Sequence, residues 1–186
     1  GGAAGDALTD ADYNVAVGTG ALGADTKGSK STALGRNTLT TQNFTTATDA
    51  YNVAVGYNAG SSVTTAINST LIGAAAGAAV TSGASNTLVG YLSGFALSTG
   101  NSNTALGYSA LAADTLGDRN VAVGMQALAA QNFTTTTDSY NTAVGYDAGN
   151  DVTTGQYNTI MGGLAGDAIT DADYNVALGY NALSTN

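Results

Sequence analysis

A five-residue phrase recurs ten times along this chain, typically Asn, then Val or Thr, then Ala, then an aliphatic residue, then Gly. The last residues of these phrases, here called the motif glycines, are Gly18, Gly35, Gly56, Gly73, Gly90, Gly107, Gly124, Gly145, Gly162 and Gly179. Successive motif glycines are 17 residues apart seven times and 21 residues apart twice. A fixed short period is typical of solenoids, in which each repeat is one coil stacked on its neighbour. Positions are numbered below by their offset from the motif glycine.

A longer period of 89 residues lies over the coil spacing. It divides the chain into two blocks of five coils, about residues 1–89 and 90–178, followed by the start of a third. Residues 42–46 and 131–135 have the same sequence and mark the two 21-residue coils. Residues 1–186 are therefore interpreted as a single repeat array. Because the array starts and stops inside the pattern, we expect it to be a slice of a longer fibre.

The composition argues against several classes of function. The chain has 13 acidic and 4 basic residues, a net charge of -9, which disfavours binding to a nucleic-acid backbone. It has no His, Cys or Glu, so the usual general bases, nucleophiles and metal ligands are scarce, and we predict that it is not an enzyme and has no cofactor. Residues 18–23 match the dinucleotide-binding glycine pattern, but no helix is predicted after them. No apolar run is long enough to insert into a membrane.

Each phrase is predicted to form a short β-strand with positions -3 and -1 on one face. Position -3 is always Val or Thr and position -1 is always aliphatic or Met, so we expect this face to be buried. Position -2 is Ala in seven coils, which predicts a contact surface where copies of the chain approach closely as a homo-oligomer. The exceptions, Leu71, Leu88 and Ile160, would then fill the seam between copies.

In each coil, either position +4 or position +7 carries a large aliphatic side chain, and the other position does not. Where +4 is Leu, +7 is polar, as in Leu22 with Asp25, Leu39 with Gln42, Leu111 with Asp114, Leu128 with Gln131 and Leu183 with Asn186. Where +4 is Gly, +7 is aliphatic, as in Gly5 with Leu8, Gly60 with Val63, Gly77 with Val80, Gly94 with Leu97, Gly149 with Val152 and Gly166 with Ile169. Close packing explains the exchange if each coil has room for one large side chain at that level.

The remaining columns complete the predicted coil. Position +10 is Gly or Ala in the 17-residue coils, as a tight reversal would require, so each coil is predicted to contain two strands and two turns. Tyr recurs at position +1, where stacking at a turn edge is expected. Stacked amides at position -4 are expected to form a ladder through Asn14, Asn52, Asn86, Asn103, Asn120, Asn141, Asn158 and Asn175. The fold class is thus all-β, a parallel β-solenoid or β-roll of about ten coils.

The phrases at residues 14–18, 103–108 and 175–180 resemble the head repeats of YadA-like trimeric autotransporter adhesins and the similar repeats of bacteriophage tail fibres. The resemblance covers essentially the whole chain. It implies a left-handed β-roll, a homotrimer, and a place on the extracellular or virion surface. The function it implies is a structural or adhesive segment, a tail-fibre shaft or an adhesin head, that presents or spaces elements binding a host glycan or protein.

Three further sites are considered on the residues themselves. The 21-residue coils carry candidate partner-binding loops at Phe44, Thr45, Thr46, Phe133, Thr134 and Thr135, although both Phe side chains are more simply explained as covering the core. Calcium is a candidate ligand of Asp10 with Asp12 and of Asp171 with Asp173. An alternative function is ice binding or another form of surface binding by the column Thr9, Thr26, Thr64, Thr81, Thr115, Thr153 and Thr170.

Overall fold

The computed structural model describes residues 1–184, which form an all-β parallel solenoid of about ten coils with no helix in that range. Ten strands make one parallel sheet in the order β1-β3-β5-β6-β7-β8-β10-β12-β13-β14. Those strands are β1 (Val15–Val17), β3 (Thr32–Leu34), β5 (Val53–Val55), β6 (Thr70–Ile72), β7 (Thr87–Val89), β8 (Thr104–Leu106), β10 (Val121–Val123), β12 (Thr142–Val144), β13 (Thr159–Met161) and β14 (Val176–Leu178). The predicted fold class is confirmed.

The sheet keeps the register of the repeat. Val15 pairs with Thr32, Ala16 with Ala33 and Val17 with Leu34, and every later pair of coils repeats this alignment of positions -3, -2 and -1. At about 4.8 Å per rung, ten rungs make a sheet about 50 Å long.

The strands face the opposite way from the prediction. The side chains at position -2 point into the chain's own core, and Ala33, Ala54 and Ala105 are fully buried. Positions -3 and -1 share one face as expected, but it is the outward face, and Val17 is 57% exposed. The interior beneath the strand is shallow, because the rest of the coil lies directly behind it, and a large side chain fits only where another part of the coil leaves space. The Ala column is therefore core, and it is not a surface for contact between copies.

The larger residues at position -2 also belong to the core. Leu71, Leu88 and Ile160 are fully buried within the chain, so the prediction that they fill a seam between copies is wrong. A Cβ built on Gly94 would lie 2.7 and 2.8 Å from the two Cδ atoms of Leu88. Leu71 approaches Gly60 and Gly77 in the same way, and Ile160 approaches Gly149 and Gly166. Each large side chain at position -2 thus fills space that a Gly at position +4 leaves open.

The exchange between positions +4 and +7 is confirmed along the inner coils, whereas at the two ends Leu8 is only partly buried and Leu183 is 50% exposed. Leu22 and Val63, one from each class of coil, are both fully buried members of a single hydrophobic core. The same core contains Leu39, Leu97, Leu111, Leu128, Val80, Val152 and Ile169. Asn186, the predicted polar partner of Leu183, lies outside the described residues. One column of large side chains therefore runs along the rod, supplied from two alternative positions in the coil.

Each coil has one strand rather than the predicted two. The second half of a coil is a series of turns. Among residues 1–184, additional two-residue strands occur only beside the 21-residue coils, as β2 (Gly28–Ser29) with β4 (Thr48–Asp49) and β9 (Gly117–Asp118) with β11 (Thr137–Asp138). Positions +2 and +4 have φ between +47 and +73 in every coil, which is incompatible with an extended strand. The glycines at position +10 do not have positive φ. A Cβ on them would lie too close to neighbouring atoms, so close contacts, and not a reversal, explain why glycine occurs there.

The motif glycines are required by contact between coils. Their φ values lie between +117 and +144, a region nearly restricted to glycine. A Cβ on Gly73 would also collide with the carbonyl oxygen of Gly90 in the next coil, and the other motif glycines except Gly179 meet the following coil in the same way. This column lets adjacent backbones pack directly against each other.

We expect Gly73→Ala to lower the stability of the rod by about 3 kcal/mol, because it combines a disfavoured φ with a backbone collision. Gly163→Ala is the matched control, since its Cβ would meet nothing closer than 3.7 Å. Thermal and urea denaturation followed by circular dichroism would compare the two. Equal stability of the two variants would contradict the role assigned to the motif glycine.

A double-mutant cycle tests the filling of the core by Leu88. Leu88→Ala should cost about 3 kcal/mol through the cavity it leaves, and Gly94→Leu alone should also destabilise through overpacking. In the double variant the new Leu at position 94 enters the space vacated by Leu88, so the two losses should be less than additive by about 1 to 3 kcal/mol. Additive losses, measured by urea denaturation, would show that the two positions do not share a volume.

Candidate functional site

The described residues form no pocket, so the candidate sites are surfaces. Three kinds of surface stand out. The first is the outward face of the ten-stranded sheet, the second is the pair of loops in the 21-residue coils, and the third is the set of exposed polar columns along the turns.

The outward face of the sheet is apolar along its length. Position -1 presents Val, Leu, Ile or Met in every coil, and Leu106 is 47% exposed. Position -3 contributes Val or Thr beside it. The exposed large apolar side chains on these two columns include Val15, Val17, Leu34, Ile72, Leu106, Met161, Val176 and Leu178. A continuous apolar face of this size is unusual on a surface that only water contacts.

Tyrosines border this face on both sides. At position +1, Tyr91 and Tyr108 stack with their ring centroids 5.7 Å apart, as expected from the sequence. A second column, not predicted from the sequence, lies at position -5, where Tyr140, Tyr157 and Tyr174 stack with centroid distances of 5.7 and 4.9 Å. Recurrence of Tyr five residues before the motif glycine was the signal that could have revealed it. The faces of these five rings are therefore in part occupied by neighbouring rings.

The loops of the 21-residue coils turn their aromatic residues inward. Phe44 and Phe133 are buried, with Phe133 5% exposed. Thr45, Thr46, Thr134 and Thr135 are exposed at the tips. The two Phe side chains therefore cover the core, and the Thr side chains are what the loops offer to solvent. Binding of a partner by these loops stays a prediction.

A buried carboxylate anchors each loop. Asp114 Oδ1 accepts hydrogen bonds from the backbone N–H groups of Gly117 and Phe133, at 3.1 and 3.2 Å, and Oδ2 accepts one from Gln131 Nε2 at 2.6 Å. Asp25 makes the equivalent bonds in the first block with Gly28, Phe44 and Gln42. The polar residues at position +7 are thus buried: the two Asp side chains accept backbone N–H groups where the regular coil is interrupted, and the two Gln side chains donate to those carboxylates.

Basic residues hold the other side of each loop. Lys30 Nζ lies 2.6 Å from Asp49 Oδ2 and 5.1 Å from the centre of the Tyr51 ring. Arg119 pairs with Asp138 and lies over Tyr140 in the same arrangement 89 residues later. The hydrogen bond to Asp49 is the main cause that raises the pKa of Lys30, and the hydrogen bond to Tyr51 is the second cause. Two of the four basic residues of the chain therefore connect a loop to the tyrosine column at the edge of the sheet.

The asparagines at position -4 connect coil to coil, largely through the backbone. Asn86 Nδ2 donates to the carbonyl of Gly100 at 2.8 Å, and Asn86 Oδ1 accepts from the backbone N–H of Asn103 at 2.9 Å. Direct bonds between amide side chains occur from Asn120 to Asn103 and from Asn175 to Asn158. These Asn side chains are structural, and most of them are buried.

The Thr column considered for ice binding uses its hydroxyl hydrogens within the rod. Thr64 Oγ1 donates to the carbonyl of Thr81, and Thr81 Oγ1 donates to that of Ser98, both at 3.1 Å. Thr9 and Thr153 donate to the carbonyls of Thr26 and Thr170 in the same way. The outward side of this column is therefore rich in hydrogen-bond acceptors and poor in donors.

The acidic residues considered for calcium lie on exposed turns. Asp10, Asp12, Asp171 and Asp173 are all exposed, and Asp173 Oδ1 accepts a bond from the backbone N–H of Gln156. Within residues 1–184, no three acidic side chains come together as a group that could hold a metal ion. Nor does that part of the chain contain an apolar helix of bilayer-spanning length.

Comparison of the chain with protein-family models, curated proteins and solved structures finds no match.

Burial is the main cause that raises the pKa of Asp114, while its bonds from Gln131, Phe133 and Gly117 oppose the rise. Because the pKa is higher in the folded chain than in the unfolded chain, the contribution of Asp114 to stability is fully present below the ordinary Asp pKa and is lost as the pH rises through the folded pKa. We therefore expect the free energy of unfolding, measured relative to Asp114→Asn, to increase as the pH is lowered from neutral. Urea denaturation of both chains at a series of pH values would check this. A pH-independent difference would contradict it.

Proposed function

We propose that this chain is a structural and adhesive segment of a fibrous surface appendage, a phage tail-fibre shaft or an adhesin head. In this proposal identical chains associate as a homotrimer through the outward face of the sheet, on the extracellular or virion surface. The segment spaces or presents elements that bind a host glycan or protein.

The observation that supports association is the continuous apolar face described above. The face extends about 50 Å along the sheet, and the bordering columns at -5 and +1 widen it to at most roughly 20 Å, so the face and its borders together present at most roughly 1,000 Å² per chain. A stable interface between proteins buries about 800 Å² per partner, so this area has the size of one such interface, and in a trimer it is divided between two neighbours. Uncovered, it would be an unusually large apolar surface for a chain that is otherwise rich in Asn, Asp, Thr and Gly.

A second copy is the occupant that fits the repeat. The apolar columns recur at every rung, because positions -3 and -1 are kept in strict register along the sheet. An identical chain aligned with the same axis has the same rung spacing and can therefore make equivalent contacts at each coil. The number of three chains comes from the resemblance to trimeric head repeats.

The mechanical part of the proposal rests on the hydrogen bonds between coils. Each coil is connected to the next by parallel strand pairing and, in most coils, by the Asn side chain at position -4. Contacts are thus repeated without interruption along the axis, including across both 21-residue coils. A rod built in this way resists local opening, because a coil in the middle cannot leave without breaking bonds on both sides.

Sedimentation equilibrium of the 186-residue chain tests the proposal, and we expect particles of three chains. Leu106→Asp places a charge in the centre of the outward face and should shift the distribution to single chains. Ser62→Asp is the control, because Asp151 occupies the same position, +6, in another coil and the fold accepts it. A wild-type chain that stays monomeric at about 100 μM, or a Leu106→Asp chain that remains associated, would contradict the proposal.

A further inference from the structure

The chain contains three sequons for N-glycosylation, the sequence Asn-X-Ser/Thr in which X is any residue except Pro. They are Asn43-Phe44-Thr45, Asn68-Ser69-Thr70 and Asn132-Phe133-Thr134. In a secreted protein the Asn of a sequon accepts a sugar when it lies on a surface loop. Because the chain is rich in Asn and Thr, such matches arise by chance, and the structure must separate usable sequons from the others.

Two of the sequons begin at position +8, where Asn is confined to the 21-residue coils. Every other coil has Thr or Ser there, as Thr9, Thr26, Thr64, Thr81, Ser98, Thr115, Thr153 and Thr170. These hydroxyls serve the rod, as Thr64 does by donating to the carbonyl of Thr81 at 3.1 Å. Among residues 1–184, the side chains of Asn43 and Asn132 donate no bond of this kind. The ladder of hydroxyls therefore does not explain the change to Asn in both long coils.

The nitrogen that would carry the sugar is open in both loops. Asn43 and Asn132 are exposed. Asn43 Oδ1 lies 2.9 Å from the hydroxyl of Thr26, and Asn132 Oδ1 lies 3.0 Å from the hydroxyl of Thr115. Each amide is thus held through its oxygen, while Nδ2 has no hydrogen-bond partner in the part of the chain that the structure describes. No bond within the rod has to break before this nitrogen reacts.

The backbone that follows each of these Asn residues can change shape locally. In the described structure, the N–H groups of residues 45–47 and 134–136 donate no backbone hydrogen bond. The side chains of Thr45 and Thr134, the third residues of the two sequons, are exposed. A transferase has to lift the three residues of a sequon away from the surface, and segments without backbone bonds open at the lowest free energy.

The third sequon is locked into the solenoid. The backbone N–H of Ser69 donates to Asn52 Oδ1 at 3.0 Å, and that of Thr70 donates to the carbonyl of Asn86 at 2.8 Å. Thr70 also begins strand β6 of the ten-stranded sheet. Asn68 is exposed, but lifting its sequon would break bonds to the coils on both sides. Exposure of the Asn is therefore not enough at this position.

We propose that Asn43 and Asn132 are N-glycosylation sites and that Asn68 is not one. The donor is a glycosyl diphosphate, and a separate transferase catalyses the step. Asn Nδ2 attacks the anomeric carbon of the sugar, the bond from that carbon to the diphosphate oxygen breaks, and the diphosphate leaves with the electron pair. Nδ2 gives up one proton to a base of the transferase, so the products are the N-linked sugar, the free diphosphate and a proton.

This modification goes beyond the proposed function and does not depend on it. Asn43 and Asn132 lie at position +8 on the turns, whereas the outward face consists of strand positions -3 and -1. Asn68 lies at position -5, in the column that borders the outward face, where a sugar would lie beside the proposed contact between chains. Chains that stay monomeric and yet carry the two sugars would contradict only the assembly.

Transfer of sugar to the folded 186-residue chain tests the sites directly. One arm uses UDP-glucose with a soluble N-glycosyltransferase, and the other uses a dolichyl-diphosphate oligosaccharide with an oligosaccharyltransferase, so the two classes of donor are distinguished. Peptide mapping by mass spectrometry locates the sugar. In at least one arm we expect Asn43 and Asn132 to be modified at least about tenfold faster than Asn68, because only the Asn68 sequon has backbone bonds to break.

Variants of one loop use the other loop as an internal control. Thr45→Val removes the sequon hydroxyl and leaves Asn43 in place, so it should abolish modification of Asn43 while Asn132 is modified as before. Thr45→Ser keeps a sequon and should retain modification of Asn43. Asn68→Gln should change nothing. Circular dichroism would verify that each variant is folded before transfer.

Peptide mapping of the protein isolated from its natural source tests whether the sites are used. We expect sugars on Asn43 and Asn132, located by electron-transfer fragmentation. Unmodified Asn at both positions, or sugar on the loop Thr residues instead, would overturn the proposal. So would a folded chain that neither transferase modifies in its loops, modification of Asn68 at the same rate as Asn43, or full modification of Asn43 in Thr45→Val.

Discussion

The direct contact between backbones of adjacent coils is the constraint on which this structure depends. Motif glycines bring each carbonyl against the next coil, and the parallel strand pairs keep every position above its counterpart. Because the rise per coil is set by these contacts, each column of side chains has the same small volume at every level. The core is consequently one narrow column, and each coil must fill it without exceeding it.

That constraint explains how residues far apart in the repeat depend on each other. A coil with Leu at +4 needs a short or polar residue at +7. A coil with Gly at +4 takes an aliphatic residue at +7, and in several cases a large residue at -2 of a neighbouring strand also fills the space. Leu88 beside Gly94 and Ile160 beside Gly149 show the second compensation. Beside the 21-residue coils the polar alternative carries a further task, since Asp114 accepts the backbone N–H of Phe133 in the insertion and Gln131 donates to the same carboxylate.

Periodicity alone predicted much of this architecture. The parallel solenoid, the register of the coils and the shared column containing Leu22 and Val63 follow from strict columns in the sequence. Which face of the strand points into the core did not follow. Alternation separates two faces without saying which is inside, and the size of the side chains was a misleading cue. Large residues suggested a buried face, whereas the shallow interior admits Ala54 and leaves Val17 outside. The left-handed backbone at Leu22 and Leu128 was likewise hidden, because Leu rarely adopts it.

The asparagines at position -4 give the rod a chemical polarity. Asn86 closes its own turn by donating to Gly100, fourteen residues later, and its Oδ1 then accepts the N–H of Asn103 from the coil that follows. The acceptor thus belongs to the earlier coil and the donor to the later one. These N–H to Oδ1 bonds all run from a later coil to an earlier one along the rod, so its two ends are chemically different.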